Sequence, residues 1–130
     1  MNISFIALNI TGAETVQSAA DMLRGALSAH GRCDFRLCGS MAQVSASLSD
    51  AFLNSELIVV GVEPSVYCKA KLAVLKAMHI KTELNSELKA MAENRADLDS
   101  YQLSMHCAMP AAAQVFPTQD GLYSGFAIKS

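Results

Sequence analysis

Three short apolar runs, each followed by a stretch with helical spacing, constrain the fold of this chain more than any other feature. They cover Asn2–Leu8, Cys33–Cys38 and Glu56–Gly61. Short strands that alternate with amphipathic helices indicate a parallel sheet covered by helices on both faces. The sequence therefore predicts an α/β fold with three α/β/α layers and a mostly parallel sheet.

The third run is the most apolar at its centre, where Leu57-Ile58-Val59-Val60 follow one another. A continuous apolar run is typical of a strand that is buried on both faces, so we expect Glu56–Gly61 to be the central strand. The second run carries Asp34 and Arg36 on one face, which is typical of an edge strand. The predicted core comprises Leu23, Leu48, Phe52, Ile58, Val60 and Leu72.

Apolar residues at helical spacing predict where the helices lie. Three longer helices are expected at about residues 13–30, 41–54 and 64–78, and two shorter ones at residues 86–93 and from about residue 97 onward. Lys69, Lys71 and Lys76 lie within the third of these helices, and we expect all three on its solvated surface.

The C-terminal part changes character and predicts a β-hairpin-like tail. Ala113–Phe116 and Leu122–Ile128 have strand composition, and Asp120-Gly121 between them is a strong turn signal. We therefore expect the two segments to pair around Val115 and Phe126.

The composition excludes several classes of protein. The chain has 130 residues, 52% apolar and 17% charged, with a net charge of -2. This is a globular composition without the basic surplus that nucleic acids or anionic membranes attract, and no apolar run reaches the length of a membrane span. We expect a cytoplasmic protein with reduced cysteines and with no nucleic-acid or membrane partner.

A spaced set of residues in the tail carries a family resemblance. The pattern begins with a hydrophobic residue followed by Pro, continues with Ala-x-Val-x-Pro and a Gly, and ends with Gly-Phe-Ala. It aligns with the family pattern without a gap. The tail thus resembles the corresponding segment of the N-terminal, molybdopterin-binding-like domain of CinA proteins. The matching residues are Pro110, Ala113, Val115, Pro117, Gly121, Gly125 and Phe126.

The resemblance implies one CinA-like domain over residues 1–130, as a divergent member of that family. It covers nearly the whole chain at the level of the fold, but only the last quarter by motif. The family continues past this point into a Leu-Pro-Gly-Val-Pro segment, so the end at Ser130 predicts a C-terminal truncation relative to the family.

The resemblance also indicates a ligand site, at the loop after the third strand. Ligands of open α/β sheets bind outside the carboxyl ends of the strands, and the family has a Gly-Gly-x-Gly-Pro-Thr-x-x-Asp loop there. Two further positions follow the first and second strands. The expected ligand-binding residues are Gly61, Glu63, Pro64, Ser65, Val66, Asn9 and Ser40.

The acidic residues of the family are missing from this predicted site. Glu63 replaces a glycine, and Ser40 stands near another family Asp. The family's downstream Asp falls at Val66, Tyr67 or Cys68. A carboxylate at the mouth of the site repels phosphate, and a hard cation needs several carboxylate ligands. We predict no catalytic and no metal-binding residue in this chain.

Two functions therefore stay open. The first is a non-catalytic domain that binds a nucleotide- or pterin-like ligand, or a partner protein. The alternative, which the resemblance implies for intact CinA domains, is a metal-dependent pyrophosphatase of the ADP-ribose type, with Mg²⁺ as its cofactor. Tyr67 and Tyr123 are candidates for stacking on a base or pterin ring, with ordinary packing as the alternative. We also expect a homo-oligomer.

Overall fold

The computed structural model describes residues 1–95 and 97–128. The chain divides into two compact units, Met1–Val66 and the part from Tyr67 onward. The C-terminal truncation predicted at Ser130 falls outside the described residues.

The first unit is a three-stranded parallel sheet with a helix on each face. Its elements are β1 (Asn2–Leu8), α1 (Glu14–Ser28), β2 (Arg32–Cys38), α2 (Met41–Asn54), β3 (Leu57–Val62) and a 3-10 turn (Pro64–Val66). On one face, Ala20 of α1 packs against Phe5 and Ala7. On the other, the thiol of Cys38 contacts the Ser47 hydroxyl of α2 at 3.8 Å. The predicted α/β/α layering is confirmed in this unit.

The prediction that the third strand is central was wrong, because the strand order is β2-β1-β3. Phe5 on β1 pairs with Phe35 of β2 on one side and with Val59 of β3 on the other. The chain moves from β1 to β2 and then back past β1 to β3. Right-handed crossovers that run in opposite directions place their helices on opposite faces of the sheet. A run of apolar residues indicates that both faces of a strand are covered by other elements. It does not indicate where the strand lies in the sheet.

The predicted core is corrected accordingly. β1 is buried along nearly its whole length, and Leu48 is also buried. Leu23 is 39% exposed and Phe52 is 54% exposed, so neither belongs to the core. Ile58, Val60 and Leu72 are half-buried. Leu57, in the strand expected at the centre, is 39% exposed because β3 lies at one edge of the sheet.

Among its described residues, the second unit contains four short strands and three helices. Its elements are α3 (Tyr67–Ala77), β4 (Thr82–Leu84), α4 (Ser86–Ala92), α5 (Ser100–Cys107), β5 (Ala108–Pro110), β6 (Gln114–Phe116) and β7 (Gly125–Ala127). β4 and β5 form an antiparallel pair that the sequence did not predict. The core of this unit comprises Leu88, Ala92, Cys107, Met109 and Leu122.

The predicted C-terminal hairpin is confirmed. β6 and β7 pair antiparallel with Val115 opposite Phe126. The Asp120 carboxylate accepts the Leu122 N–H at 3.0 Å. Gly121 has φ +77°, and a Cβ there would lie 2.9 Å from the Leu88 carbonyl oxygen. Only glycine fits both the backbone conformation and the space, which explains this residue of the tail motif.

Candidate functional site

The predicted ligand-binding residues lie in the first unit, around the carboxyl ends of its three strands. Leu8 is opposite Cys38 on one side and opposite Val62 on the other, so the three strands end level with one another. The loops that begin at Asn9, Gly39 and Glu63 therefore leave the same edge of the sheet. This is where the rule for open α/β sheets places a ligand.

Glu63 is the most constrained residue at this edge, with 2% of its surface exposed. Its Oε1 accepts the backbone N–H groups of Ile10, at 2.8 Å, and Thr11, at 3.2 Å. Its Oε2 accepts the Thr11 hydroxyl at 2.6 Å. The carboxylate thus occupies the concave side of the β1–α1 loop, where two successive N–H groups form a small anion-binding nest.

The hydrogen bonds keep this carboxylate ionised. The Thr11 hydroxyl, together with the N–H groups of Ile10 and Thr11, lowers the pKa of Glu63 below its ordinary value of 4.5, although burial acts in the opposite direction. Hydrogen bonds to the charged form of a carboxyl favour that form. Glu63 is therefore an anion at neutral pH and supplies the negative charge that the loop binds.

Asn9 shapes the loop that holds Glu63. Its Oδ1 accepts the Gly12 N–H at 3.0 Å, and its backbone N–H donates to the Cys38 carbonyl at 2.9 Å. Gly12 has φ +71°, a conformation that glycine adopts without strain. The amide of Asn9 is thus engaged in closing the turn that directs the N–H groups of Ile10 and Thr11 toward Glu63.

Ser40 caps α2. Its Oγ accepts the Gln43 N–H at 3.3 Å, while the Gln43 side chain accepts the Gly39 N–H at 2.7 Å. A serine at this position satisfies one of the donors that every helix N-terminus leaves open. Ser40 therefore has a local role in starting the helix.

The remaining predicted site residues form the β3 end and the turn that follows it. Gly61 lies beside the Phe5 ring, which a Cβ would approach to 3.2 Å. Pro64 and Ser65 are exposed in the 3-10 turn. The Val66 N–H donates to the Glu63 carbonyl at 3.2 Å, so this donor already serves the turn.

The side-chain oxygen atoms at this edge do not fit a magnesium ion. The Glu63 oxygens accept three hydrogen bonds, and the amide of Asn9 and the hydroxyl of Ser40 hold their own loops. Across the described residues, no group of three or more His, Cys, Asp or Glu side chains is arranged to hold a metal. Hard cations need several oxygen ligands, and the edge does not offer them.

Sequence reasoning missed Thr11, which makes two of the three contacts to Glu63. The available signal was a hydroxyl residue next to Gly12 in the loop after the first strand. Such Thr-Gly loops supply N–H and O–H donors together. The partner of these donors lies 52 residues away in the chain, and nothing in the local pattern indicates it.

An aromatic cluster lies in the second unit, with Tyr67 and His106 buried and Tyr123 47% exposed. The Tyr67 ring stacks on His106 at 5.8 Å between centroids, and Tyr123 meets His106 edge-on at 4.9 Å. The Tyr67 hydroxyl donates to the Ser124 carbonyl at 2.5 Å. Burial lowers the pKa of His106. The Tyr67 ring thus packs against the protein's own His106 ring. This is the ordinary packing that the sequence analysis gave as the alternative to stacking on a ligand.

Lys71 corrects the expectation that the lysines of α3 are all solvated. It is 5% exposed, and its Nζ donates to the carbonyls of Met105, at 3.0 Å, and His106, at 2.9 Å. Burial lowers the pKa of Lys71. A lysine over the last carbonyls of a helix also interacts favourably with the negative end of its dipole. Lys71 therefore holds the C-terminal end of α5.

One solved structure resembles this chain over almost its whole length. The crystal structure of CinA from Thermoplasma acidophilum, a protein described as having unknown function, matches with a TM-score of 0.70 and 18% sequence identity. The match covers 97% of this chain and 80% of that chain.

The chain has a CinA-like fold. This confirms the resemblance derived from the tail at the level of the fold, and 18% identity agrees with the expectation of a divergent sequence. No family model matches the chain, and no curated protein matches it. Every helix among the described residues is too short or too polar to cross a membrane.

Proposed function

We propose that this CinA-like chain is a non-catalytic binding domain, for a nucleotide- or pterin-like ligand or for a partner protein. The observation that carries the proposal is the position of Glu63. Its carboxylate takes the N–H groups of Ile10 and Thr11, which are the donors that a bound phosphate would otherwise use. The chain thus supplies its own anion at the edge where ligands of this kind of sheet bind.

The chemistry of phosphate cleavage supports the absence of turnover. A cleaving site must offset charge that develops on the phosphoryl oxygens, with a metal held by carboxylates or with Lys and Arg side chains. Glu63 is engaged with Thr11, and Arg36, on β2, is paired with Asp34 and Asp50. Neither side chain is therefore free to offset the charge that this reaction develops.

An assay of ADP-ribose hydrolysis tests this proposal. With the full chain and Mg²⁺, we expect no release of AMP above the buffer blank, because the edge holds no carboxylate set for a metal. The reaction is followed by phosphorus NMR or by chromatography. Glu63→Ala is the matched variant, and we expect it to be equally inactive.

Turnover by the unmodified chain, abolished in Glu63→Ala, would establish the pyrophosphatase alternative and assign Glu63 to catalysis. A thermal shift with ADP-ribose, measured with and without Mg²⁺, separates binding from turnover. Stabilisation of the fold without release of AMP is the result that a non-catalytic ligand-binding domain gives.

A further inference from the structure

A groove in the second unit is lined by none of the residues of the candidate ligand site. It has a volume of about 510 Å³, is open to solvent along one side, and has an apolar floor of Leu72, Leu75 and Ile80. Lys76, His79, Lys81 and the β4 residue Thr82 complete its lining. A smaller cavity of about 120 Å³ lies on Leu84, two residues further along β4, and is also lined by Lys89 and Leu103.

The two cavities share one face of β4. Side chains at alternate positions of a strand point to the same face, so Thr82 and Leu84 lie on one face and Glu83 on the other. We call this surface the β4 groove. It includes Leu72, Thr82, Leu84 and Lys89. Its two parts lie at the first and the last residue of β4, a spacing that suits an extended ligand.

The β4 groove carries positive charge. Lys76, Lys81 and Lys89 line its two parts, together with His79, and no acidic residue of the described chain lines either part. The chain as a whole has a net charge of -2, so this concentration of basic side chains is local. It complements an anionic occupant.

The end of α3 gives the groove a fixed shape. The Ile80 N–H donates to the Leu75 carbonyl at 2.9 Å, and the His79 N–H to the Lys76 carbonyl at 3.0 Å. His79 has φ +57°. Together these features form a Schellman motif with His79 in the left-handed position. The motif brings Leu75 and Ile80 of the apolar floor together.

One edge of β4 is open to a further strand. β4 pairs with β5 alone among the described residues, and all three of its residues are exposed. The Asn85 N–H donates to Cys107 on the β5 side, at 2.9 Å. Backbone groups alternate between the two edges of a strand, so those of Thr82 and Leu84 point to the open edge.

We propose that the β4 groove binds an extended acidic segment of a partner protein, which adds a strand to the open edge of β4. The backbone of the segment pairs with Thr82 and Leu84, and its acidic side chains alternate toward Lys76, Lys81 and Lys89. Strand addition takes its affinity from main-chain hydrogen bonds and its specificity from alternate side chains. A groove open along one side fits an extended chain better than an enclosed small molecule.

A short synthetic peptide with glutamate at every second position and valine between tests this inference. We expect its addition to the isotope-labelled full chain to shift the backbone NMR signals of residues 76–89. The double variant Lys76→Glu/Lys81→Glu should lower the affinity by about tenfold or more, because it reverses the charge of the rim. Lys69→Glu on the exposed side of α3 is the matched control and should leave the affinity nearly unchanged.

A second variant tests the strand pairing. Thr82→Pro removes one N–H from the open edge at the first residue of β4, a position where proline is tolerated, and should also weaken peptide binding. Several results would overturn the inference: equal binding of a peptide with lysine in place of glutamate, an equal loss of affinity in Lys69→Glu, or binding unchanged in both groove variants. Binding only to phosphatidylserine vesicles, and not to the peptide, would overturn it as well.

Discussion

Ile6→Ala should lower the free energy of unfolding by about 2–5 kcal/mol, the range for truncation of a large buried aliphatic side chain. Ile6 is 1% exposed, and its strand pairs on both edges, opposite Arg36 of β2 and Val60 of β3. The surrounding strands and helices hold the cavity open after truncation, so most of the lost contact energy is not recovered. Urea denaturation followed by circular dichroism measures the change.

Ile58→Ala is the matched control for this prediction. Ile58 lies on the edge strand β3 opposite Ser4 and is half-buried, so we expect its truncation to cost about 1–2 kcal/mol, near the middle of the range for point mutations. Both residues belong to the first unit and are compared through its unfolding. A larger loss for Ile58→Ala than for Ile6→Ala would contradict the β2-β1-β3 order.

Glu63→Ala should raise the affinity of the chain for inorganic phosphate by about tenfold or more. The substitution removes the anion that accepts the N–H groups of Ile10 and Thr11 and leaves them free for another. Charge-assisted hydrogen bonds are about twice as strong as neutral ones, and about 1.4 kcal/mol corresponds to a tenfold change in affinity. Phosphate titration of the labelled chain, followed at the backbone signals of residues 10–12, measures the effect.

Glu56→Ala removes the same charge from an exposed position that does not touch the loop, and it controls for the change in net charge. We expect its phosphate affinity to stay close to that of the unmodified chain. Equal phosphate affinity of Glu63→Ala and Glu56→Ala would contradict this prediction. It would show that Glu63 does not compete with an external anion for the N–H groups of the β1–α1 loop.

The fold could be predicted from the sequence where one local signal was sufficient. The continuous apolar run identified β1 with the bounds that the structure gives. The Asp120-Gly121 turn and the strand composition around it identified the C-terminal pair, with Val115 opposite Phe126. These signals depend on contacts within a few residues, which the sequence displays directly.

Other features depended on contacts that are distant in sequence. The order of the strands is set by how the crossovers pass over the sheet, so the apolar character of Leu57–Val62 could not place that strand at an edge. An apolar stripe does not say how much of each side chain is covered, and Leu23 and Phe52 are exposed for that reason. β4 and β5 have three residues each, too few for a periodicity to be seen.

Residues 9, 40 and 63 all follow strands that end at one edge of the sheet, as the sequence indicated, and a ligand site at this edge stays a prediction. Its internal chemistry was not predictable. From the sequence alone, Glu63 is a carboxylate that repels phosphate. The structure shows what that carboxylate does instead, which is to bind a loop 52 residues earlier in the chain.

The measurement that tests this account most directly is a pH titration of the backbone amide signals of Ile10 and Thr11 by NMR. The hydrogen bonds lower the pKa of Glu63 below 4.5 in the folded chain. They therefore stabilise the fold above the unfolded pKa, and this contribution is lost as the pH falls through the folded pKa. From about pH 7 down to pH 3, a range that includes ordinary carboxyl pKa values, both amide signals should move together with one midpoint below 4.5, and the transition should disappear in Glu63→Gln. Signals that stay constant over this range in the unmodified chain, or the same transition in Glu63→Gln, would contradict the claim that Glu63 fills the anion site of the β1–α1 loop.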